Sequence, residues 1–570
     1  MLILSVQTID VAHVRGSRRF VVDDMGYRDD GICQITARFG FQDYIDVPAV
    51  LLVRWSRWIS TWTTRRRAHR ALSGPPYRPR HIAQMPSMQV GREYASAMRR
   101  KVVLFELNEV PWRIVDDHVA RHPGSALAKA LERSHQYEAV AADRGHLSPW
   151  VTWPSLHRGV NDERHMIGDL GQDRAKADQL YPPIWRVLRD EVAGVGVCGS
   201  LHSFPPPDDM TSYSFYLPDT FATSHEAHPA PLSTFQGLNL AMARDSARNV
   251  DRSIPPRAAA RLMARSRELG IRSSTYRAIL GQLASERRNS CRSTRRRTFQ
   301  AVLGFDVYSH QLERTRPAFS TFFSNHVASA MHRYWAATYP GDYDELGLPA
   351  AWIDRYREEV PWAMCRAEQM IAWLVAFADR NPEYQIWIAA SMGQGPTLAR
   401  GLETAVYLKD LRTFMTRLGL PEDGWEQRPA MLPQTNVMVA EGLSERFESQ
   451  LRGLRMVDQP IHFRQTATGF FSMDFGHPNM HKRPTPLRYE GRRHALADFG
   501  LEAVEIEDRS DTTAYHVPEG VLIVYDPSAT TSGERERVSA LSVAPALLRT
   551  FGLRPLDYME SGDELQAVLG

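Results

Sequence analysis

The sequence predicts an α/β protein built on a buried sheet and preceded by a small β-rich segment. The chain has 570 residues, too many for one ordinary hydrophobic core, so more than one unit is expected. From Lys101 onward, short apolar runs alternate with helical stretches. This alternation is typical of strands covered by helices on both faces of a sheet. The apolar runs are VVLFEL after Lys101, Gly194–Gly199, Phe319–Phe323, Tyr384–Ala390 and Val521–Tyr525.

The composition predicts a cytoplasmic protein that neither spans a membrane nor binds nucleic acid. Hydrophobic residues make up 43% of the chain and charged residues 24%, as in ordinary globular proteins. No apolar run reaches the ~18 residues of a membrane span. A net charge of +3 is too small to indicate a polyanionic partner. The four cysteines have no metal-site spacing and the first residues lack a basic leader, which favours a reducing compartment.

Three regions follow one another along the chain. Residues 1–53 alternate like short strands, and residues 54–100 are rich in Arg, Pro and Ser, which is typical of a linker. Residues 101–570 form the predicted main domain. Within it, residues 232–302 are helical in pattern and rich in Arg, which predicts a helical insertion. The basic run RNSCRSTRRRTF could bind a polyanion, although a solvated helix face explains it more simply.

Two separated segments carry the chemistry. Lys101–Val110 reads KVVLFELNEV, an apolar strand that ends in polar groups, and Ser148–Val160 reads SPWVTWPSLHRGV. A carboxylate or amide at a strand end can hold a cation, and free N–H groups at a helix start can face an anion. Thr152 supplies a hydroxyl at that helix start. It is either an active-site nucleophile, which needs activation, or simply the helix N-cap.

The order of these signals over Lys101–Met559 resembles the alkaline phosphatase superfamily, in particular its type I phosphodiesterase and nucleotide pyrophosphatase branch. The resemblance implies a three-layer α/β/α sandwich. It also implies a threonine nucleophile in TWPS and metal ligands at a strand end, in SNHVASAMHRYW and in AYHVPEGVLIVY. The residues at those positions are Thr152 for the nucleophile and Asn108, His332 and His516 for the metal.

The chain departs from that family where ligands should stand. Ala328, Met392 and Gly393 occupy the places of two Asp and one His. A thioether and a bare backbone are poor partners for a hard cation, so one divalent cation, Zn²⁺ or Mn²⁺, is expected rather than two. The residues near the altered places that could compensate are Glu106, Glu109, Asn325, His326 and Gln394.

Strand alternation decides between the two glutamates. It places Glu106 on the same face as Asn108 and Glu109 on the opposite face, so Glu106 is the carboxylate predicted to supplement the site. We further expect the site residues to converge at the carboxyl edge of one sheet. These residues are Asn108, Thr152, His332, Ser391 and His516.

The expected function is metal-dependent hydrolysis of a small phosphoester or related anionic ester at a degenerate site. A non-catalytic binding protein that kept the fold is the first alternative. A second alternative comes from Arg18–Leu51, which resembles the cytoplasmic C-terminal tail of Kup-type potassium transporters, especially in ARFGFQD and DVPAVL. That resemblance implies a potassium-linked regulatory role. Transport itself is excluded because nothing in the sequence can cross a bilayer, and a gene-boundary accident explains the segment more simply.

Overall fold

The computed structural model describes residues 19–27, 32–40, 46–54, 100–243, 256–529, 534–560 and 564–565. The chain divides into two compact units, Met1–Tyr94 and Ala95–Gly570. In the first unit three strands pair in chain order as an antiparallel sheet: Arg19–Tyr27, Ile32–Gly40 and Asp46–Arg54. This confirms the predicted β-rich N-terminal segment. Nearly all of the predicted linker lies outside the described residues.

An eight-stranded mixed sheet forms the centre of the second unit. Its strands are β1 (Lys101–Leu107), β2 (Ser134–Val140), β3 (Val195–Cys198), β4 (Phe215–Leu217), β5 (Phe319–Ser324), β6 (Tyr384–Ala389), β7 (Glu519–Tyr525) and β8 (Arg535–Ser539). They lie in the order β8-β2-β7-β6-β1-β5-β3-β4. Neighbours are parallel except in the two pairs made by β7, which runs against the other seven strands. All five predicted strands belong to this sheet.

Helices cover both faces of the sheet. The helices that form these layers or carry site residues are α1 (Trp112–Arg121), α2 (Pro149–Arg158), α3 (Arg296–Thr315), α4 (His326–Thr338), α5 (Glu359–Arg380) and α6 (Val543–Thr550). Side chains of β1 alternate between two cores: Val103 and Phe105 pack with α1, α3, α4 and α5, whereas Val102 and Leu104 pack with α2 and α6. The structure therefore confirms the three-layer α/β/α sandwich.

The described part of the insertion predicted over residues 232–302 is mostly helical. Its helices are Leu232–Ala243, Pro256–Ala264 and Ser273–Arg288, followed by the start of α3. Shorter helices elsewhere in the sandwich are Ala126–Leu131, Asp162–His165, Ala175–Leu180, Ile184–Arg189 and Ala350–Tyr356. Among the described residues, no helix combines the length and apolar character that crossing a bilayer requires.

A separate lobe between β6 and β7 is absent from the sequence prediction. A two-stranded ladder, Thr404–Leu408 with Leu501–Glu505, forms its base. Its core includes Phe414, Val437 and Phe471. The other elements are strands Trp425–Arg428, Gln434–Val439, Arg455–Met456, Gln459–Pro460, His462–Ala467, Phe470–Asp474, Leu487–Tyr489 and Arg492–His494, and helices Leu411–Arg417 and Glu441–Gly453.

Two further ladders border the central sheet. Leu346–Gly347 pairs with Ala399–Arg400, and Gly393–Pro396 pairs with Ala514–Val517. The second ladder matters for the site, because it follows β6 and precedes the reversed strand β7. It therefore lies at the edge where the other seven strands have their carboxyl ends.

Candidate metal centre

A carboxylate and two imidazoles meet at the carboxyl edge of the sheet. Glu109 Oε2 lies 2.9 Å from His332 Nε2 and 3.5 Å from His516 Nε2. The two imidazole rings are 5.3 Å apart between centroids. One ligand atom from each of the three residues lies within 4.8 Å of the others, so a single cation could contact all three.

Glu109 reaches this cluster because the strand ends before it. β1 stops at Leu107, and Glu109 follows in a turn with a φ of 58°, a left-handed conformation uncommon outside glycine. Alternation along the strand therefore no longer determines which way the side chain points. Asn108 Nδ2 donates to Glu109 Oε1 at 2.8 Å and steadies the carboxylate in this position.

Both histidines are oriented by backbone carbonyls. His332 Nδ1 donates to Ala514 O and His516 Nδ1 to Leu147 O, each at 2.8 Å. A carbonyl can only accept, so the proton lies on Nδ1 and Nε2 points at Glu109. This is the supporting arrangement that metal-binding histidines generally have. The donor set of one carboxylate oxygen and two imidazole nitrogens thus fits Zn²⁺ or Mn²⁺.

The charges in the cluster depend on one another. Burial alone would raise the pKa of Glu109, but the charges of His516 and His332 and their hydrogen bonds outweigh it and hold that pKa well below its usual range. Burial opposes protonation of His516, yet the charge of Glu109 and its hydrogen bond raise the pKa of His516 above its ordinary value. Without a cation, the carboxylate of Glu109 pairs with the protonated histidines. A bound metal would displace the protons from their Nε2 atoms and take the place of this ion pair.

A pair of hydroxyl groups is connected to the cluster by a short chain segment. Thr152 Oγ1 is 2.8 Å from Ser391 Oγ, and both side chains are buried. Ser391 follows β6, and Gln394, three residues later, donates through Nε2 to Glu109 Oε2. Gln394 is also the register partner of His516. The five residues expected to converge are thus linked by direct contacts and short chain segments.

Thr152 is not the helix N-cap. That role belongs to Ser148, whose side chain accepts from Trp150 N, while Thr152 lies inside α2 and donates to Ser148 O at 3.2 Å. The N–H groups of Val151 and Thr152 also bond to Ser148 O. The helix start therefore does not present the free N–H groups that the sequence suggested for an anion.

The other candidate residues have different partners. Glu106 is fully buried and contacts His157 Nε2 at 2.7 Å. Asn325 Oδ1 accepts from Asn108 at 2.8 Å. His326 uses one ring nitrogen toward Ser324 Oγ and the other toward Ala363 O, and burial lowers the pKa of His326 to about 4. Glu109, rather than Glu106, supplies the carboxylate that the histidines contact.

Asn108, expected as a ligand, has its amide occupied. Its Oδ1 accepts from Trp153 Nε1 at 2.7 Å, while its Nδ2 bonds to Glu109 and Asn325. These contacts suit a residue that positions Glu109.

The positions where the sequence resemblance implies further ligands are closed. A Cβ at Gly393 would lie 1.9 Å from Glu519 O, so no side chain fits there. Met392 and Ala328 are both completely buried. A second cation would find no replacement ligand at these three positions.

The mouth of the centre carries residues that the sequence did not single out. Tyr515 is 45% exposed, and its ring stacks on His516 with centroids 4.2 Å apart. Arg464, from the lobe, is 41% exposed, pairs with Asp169 at 3.2 Å and interacts electrostatically with Tyr515. Tyr515 could have been identified from the sequence, because it directly precedes His516 in AYHV. Arg464 could not, because it lies in the lobe that the sequence did not predict.

Comparison with known proteins gives weak similarities. No protein-family model matches the chain. A 51-residue stretch, 9% of this chain and 8% of the relative, is 39% identical to the probable potassium transport system protein Kup of Rhodococcus jostii (strain RHA1). The match agrees with the resemblance of Arg18–Leu51 to the C-terminal tail of Kup-type transporters. Because the chain covers only 8% of that relative, the match indicates no activity.

Three solved structures illustrate what the chain is similar to. Murine ectonucleotide pyrophosphatase/phosphodiesterase 5 has a TM-score of 0.39 and 9% identity, covering 83% of this chain and 100% of that one. Phosphonoacetate hydrolase from Sinorhizobium meliloti 1021, in complex with phosphonoformate, has a TM-score of 0.36 and 13% identity, covering 80% and 95%. Thermus thermophilus alkaline phosphatase has a TM-score of 0.36 and 13% identity, covering 85% and 99%. At such scores these likenesses assign neither a family nor a chemistry to this chain.

Proposed function

We propose that this protein is a metal-dependent hydrolase of a small phosphoester or related anionic ester, acting with one divalent cation. The observation that supports it most is the meeting of Glu109 Oε2 with the Nε2 atoms of His332 and His516. Gln394, three residues after Ser391, bonds to Glu109 and so connects the Thr152–Ser391 hydroxyl pair to this cluster. Three protein ligands with an open position are typical of catalytic rather than structural zinc sites. The side chain of His332 is 26% exposed, which leaves the centre accessible from solvent.

When bound, the cation would polarise the ester oxygen and stabilise negative charge that develops on it. Thr152 Oγ1 is the candidate nucleophile, and Ser391 Oγ holds it in place through their 2.8 Å hydrogen bond. Arg464 offers a positive charge for the anionic group, and the exposed ring of Tyr515 offers a face for a planar leaving group.

The surroundings of Thr152 limit the expected rate. Its hydrogen-bond partners, Ser391 Oγ and Ser148 O, are both neutral, so neither is an effective base for its proton. The closed position at Gly393 removes the family's second cation as an activator. We therefore expect slow turnover of generic substrates. The same observations favour a second candidate, a non-catalytic protein that binds an anionic ester at this centre.

The test uses chelator-treated full-length protein reloaded with Zn²⁺ or Mn²⁺. Hydrolysis of p-nitrophenyl phosphate and bis-p-nitrophenyl phosphate is measured for wild type, His516→Ala and Thr152→Ala. His481→Ala is the matched control, because His481 also contacts a glutamate, Glu403 at 3.3 Å, but lies in the lobe. Losing a group that merely supports a metal costs about 10–100-fold, so losing a direct ligand should cost at least that much.

The expected result is cation-dependent hydrolysis that His516→Ala and Thr152→Ala each reduce and His481→Ala leaves unchanged. Only His516→Ala should also weaken cation binding. A bound cation with no hydrolysis of either ester would support the binding protein instead. Hydrolysis that persists in chelator and in His516→Ala would overturn the metal-dependent proposal.

A further inference from the structure

A second group of metal-binding side chains lies between two helices. His118 on α1, His122 at the residue that caps α1, and Cys365 on α5 each offer a ligand atom, and these atoms lie within 4.8 Å of one another. His118 and His122 are four residues apart, so they share one face of the helix. Their rings are 4.9 Å apart between centroids.

This cluster is separate from the Glu109 centre. α1 begins near the carboxyl edge of the sheet, at Trp112, and at 1.5 Å per residue His118 lies about 9 Å along the helix and His122 about 15 Å. Cys365 lies in the first third of α5, and its thiol lies within 4.8 Å of a ring nitrogen of His118 and of His122. Neither α1 nor α5 contributes a ligand to the Glu109 centre.

The buried histidine of the cluster has an unsatisfied nitrogen. His118 is 5% exposed, and its Nε2 is buried without a hydrogen-bond partner. Leaving a buried polar atom unpaired costs about 1–3 kcal/mol, so such an atom needs an explanation. A cation bound to this nitrogen would satisfy it. His122 is exposed, which gives a cation a route into the cluster.

The donor chemistry favours zinc. One thiolate and two imidazoles form a set with three of the four ligands that structural zinc sites use. Glu368 lies one turn beyond Cys365, interacts electrostatically with both Cys365 and His118, and is anchored where its Oε1 accepts from Ala126 N at 3.0 Å. Its carboxylate adds negative charge near the site but is not among the ligand atoms that lie within 4.8 Å of one another, so water would supply the fourth ligand. Tetrahedral Zn²⁺ needs ligand atoms about 3.5 Å apart, which side-chain rotations can reach from the present spacing.

We propose that His118, His122 and Cys365 bind a Zn²⁺ ion that ties α1 to α5, with water as the fourth ligand. Binding would convert the Cys365 thiol into a zinc-bound thiolate and release its proton to solvent. Because the ion would join helices on the face opposite α2, it would stabilise the fold without taking part in the chemistry at Glu109.

Co²⁺ titrated into chelator-treated full-length protein provides the test. A cobalt–thiolate bond produces a charge-transfer absorption band, and the Glu109 centre contains no sulfur, so the band reports this site alone. The variants are Cys365→Ser and His122→Ala. Cys291→Ser is the matched control, because Cys291 is also a partly buried free cysteine. Circular dichroism confirms that each variant is folded, and exposed His122 provides a variant that leaves the core intact.

We expect the band to grow as Co²⁺ is added and to be complete by two equivalents, because the Glu109 centre can take one. It should be displaced by Zn²⁺ and be lost in Cys365→Ser. His122→Ala should weaken Co²⁺ binding at least tenfold, while Cys291→Ser and His516→Ala should retain the band. Absence of the band in wild type, its persistence in Cys365→Ser, or unchanged affinity in His122→Ala would each overturn the proposal. None of these outcomes depends on whether the protein hydrolyses an ester.

Discussion

Replacing Glu109 with glutamine should destabilise the metal-free protein much more at acidic pH than at alkaline pH. Glutamine keeps the shape of the side chain and removes its charge. The carboxylate is 3% exposed and lies 2.9 Å from His332 Nε2 and 3.5 Å from His516 Nε2. With an effective dielectric constant of about 20, these distances correspond to attractions of about 6 and 5 kcal/mol before desolvation. Removing one partner of a buried ion pair costs about 3–5 kcal/mol net.

The direction of the pH dependence follows from two pKa shifts. The lowered pKa of Glu109 contributes stability above its unfolded value of about 4.3, which is lost as the pH falls through the folded pKa. The raised pKa of His516 contributes stability that is complete below about 6.5 and is lost as the pH rises through the folded pKa. The ion pair therefore contributes most between about pH 4.5 and 6.5, and Glu109→Gln should cost most there.

The assay is urea unfolding in chelator at pH 5.5 and pH 9. At pH 5.5 we expect a loss of about 3–5 kcal/mol, and at pH 9 only the smaller cost of altered hydrogen bonds, about 1 kcal/mol. Glu422→Gln is the control, because Glu422 pairs with Arg412 at the surface, where ion pairs contribute little. Equal losses at the two pH values for Glu109→Gln would refute this account of the cluster.

Two further predictions concern Asp143, which bonds to Ser155 on α2, and Trp153 on the same helix. Burial raises the pKa of Asp143 to about 6, although its hydrogen bond with Ser155 opposes this. Between about pH 4 and pH 6, Asp143 is therefore protonated in the folded protein and ionised in the unfolded chain. The free energy of unfolding of Asp143→Asn should therefore rise relative to that of wild type by up to about 3 kcal/mol between pH 4 and pH 6. A difference between the two proteins that does not change with pH would contradict this. Trp153→Phe removes the N–H that bonds to Asn108 Oδ1 at 2.7 Å, which should cost about 1–3 kcal/mol in urea unfolding and about tenfold in Zn²⁺ affinity by calorimetry. Unchanged Zn²⁺ affinity in that variant would show that Asn108 does not position Glu109.

The sheet was predictable because its strands are continuous apolar runs. A run such as VVLFEL has a hydrophobic side chain for each of the two cores, and this pattern occurs where helices cover both faces. The edge strand Arg535–Ser539 reads RERVS, with one buried hydrophobic residue, and carried no such signal. The lobe escaped prediction for a similar reason, because its strands are two to six residues long and several have exposed or half-buried side chains.

The histidines of the centre could be found from the sequence, but their carboxylate partner could not. His332 and His516 stand in segments whose order resembles a known pattern. Choosing Glu106 over Glu109 assumed that strand alternation continues past Leu107, and the left-handed turn at Glu109 ends that regularity. Glu106 instead forms a buried pair with His157, a contact that depends on how α2 packs on β1.

The His118–Cys365 cluster shows the same limit at longer range. Histidines four residues apart on a helix are visible in the sequence. Cys365 follows His118 by 247 residues, and nothing in the sequence places it against the same helix. Only the packing of α1 and α5 in one core brings the thiol to the imidazoles.

The most direct test of the central claim is anomalous X-ray scattering at the zinc edge from crystals grown with Zn²⁺. The account predicts a peak bonded to Glu109 Oε2, His332 Nε2 and His516 Nε2 at about 2.0–2.2 Å. The peak should be absent in His516→Ala. A map with no peak at these three atoms, or with an ion held by Glu106, would contradict the claim that Glu109 and the two histidines form the metal centre.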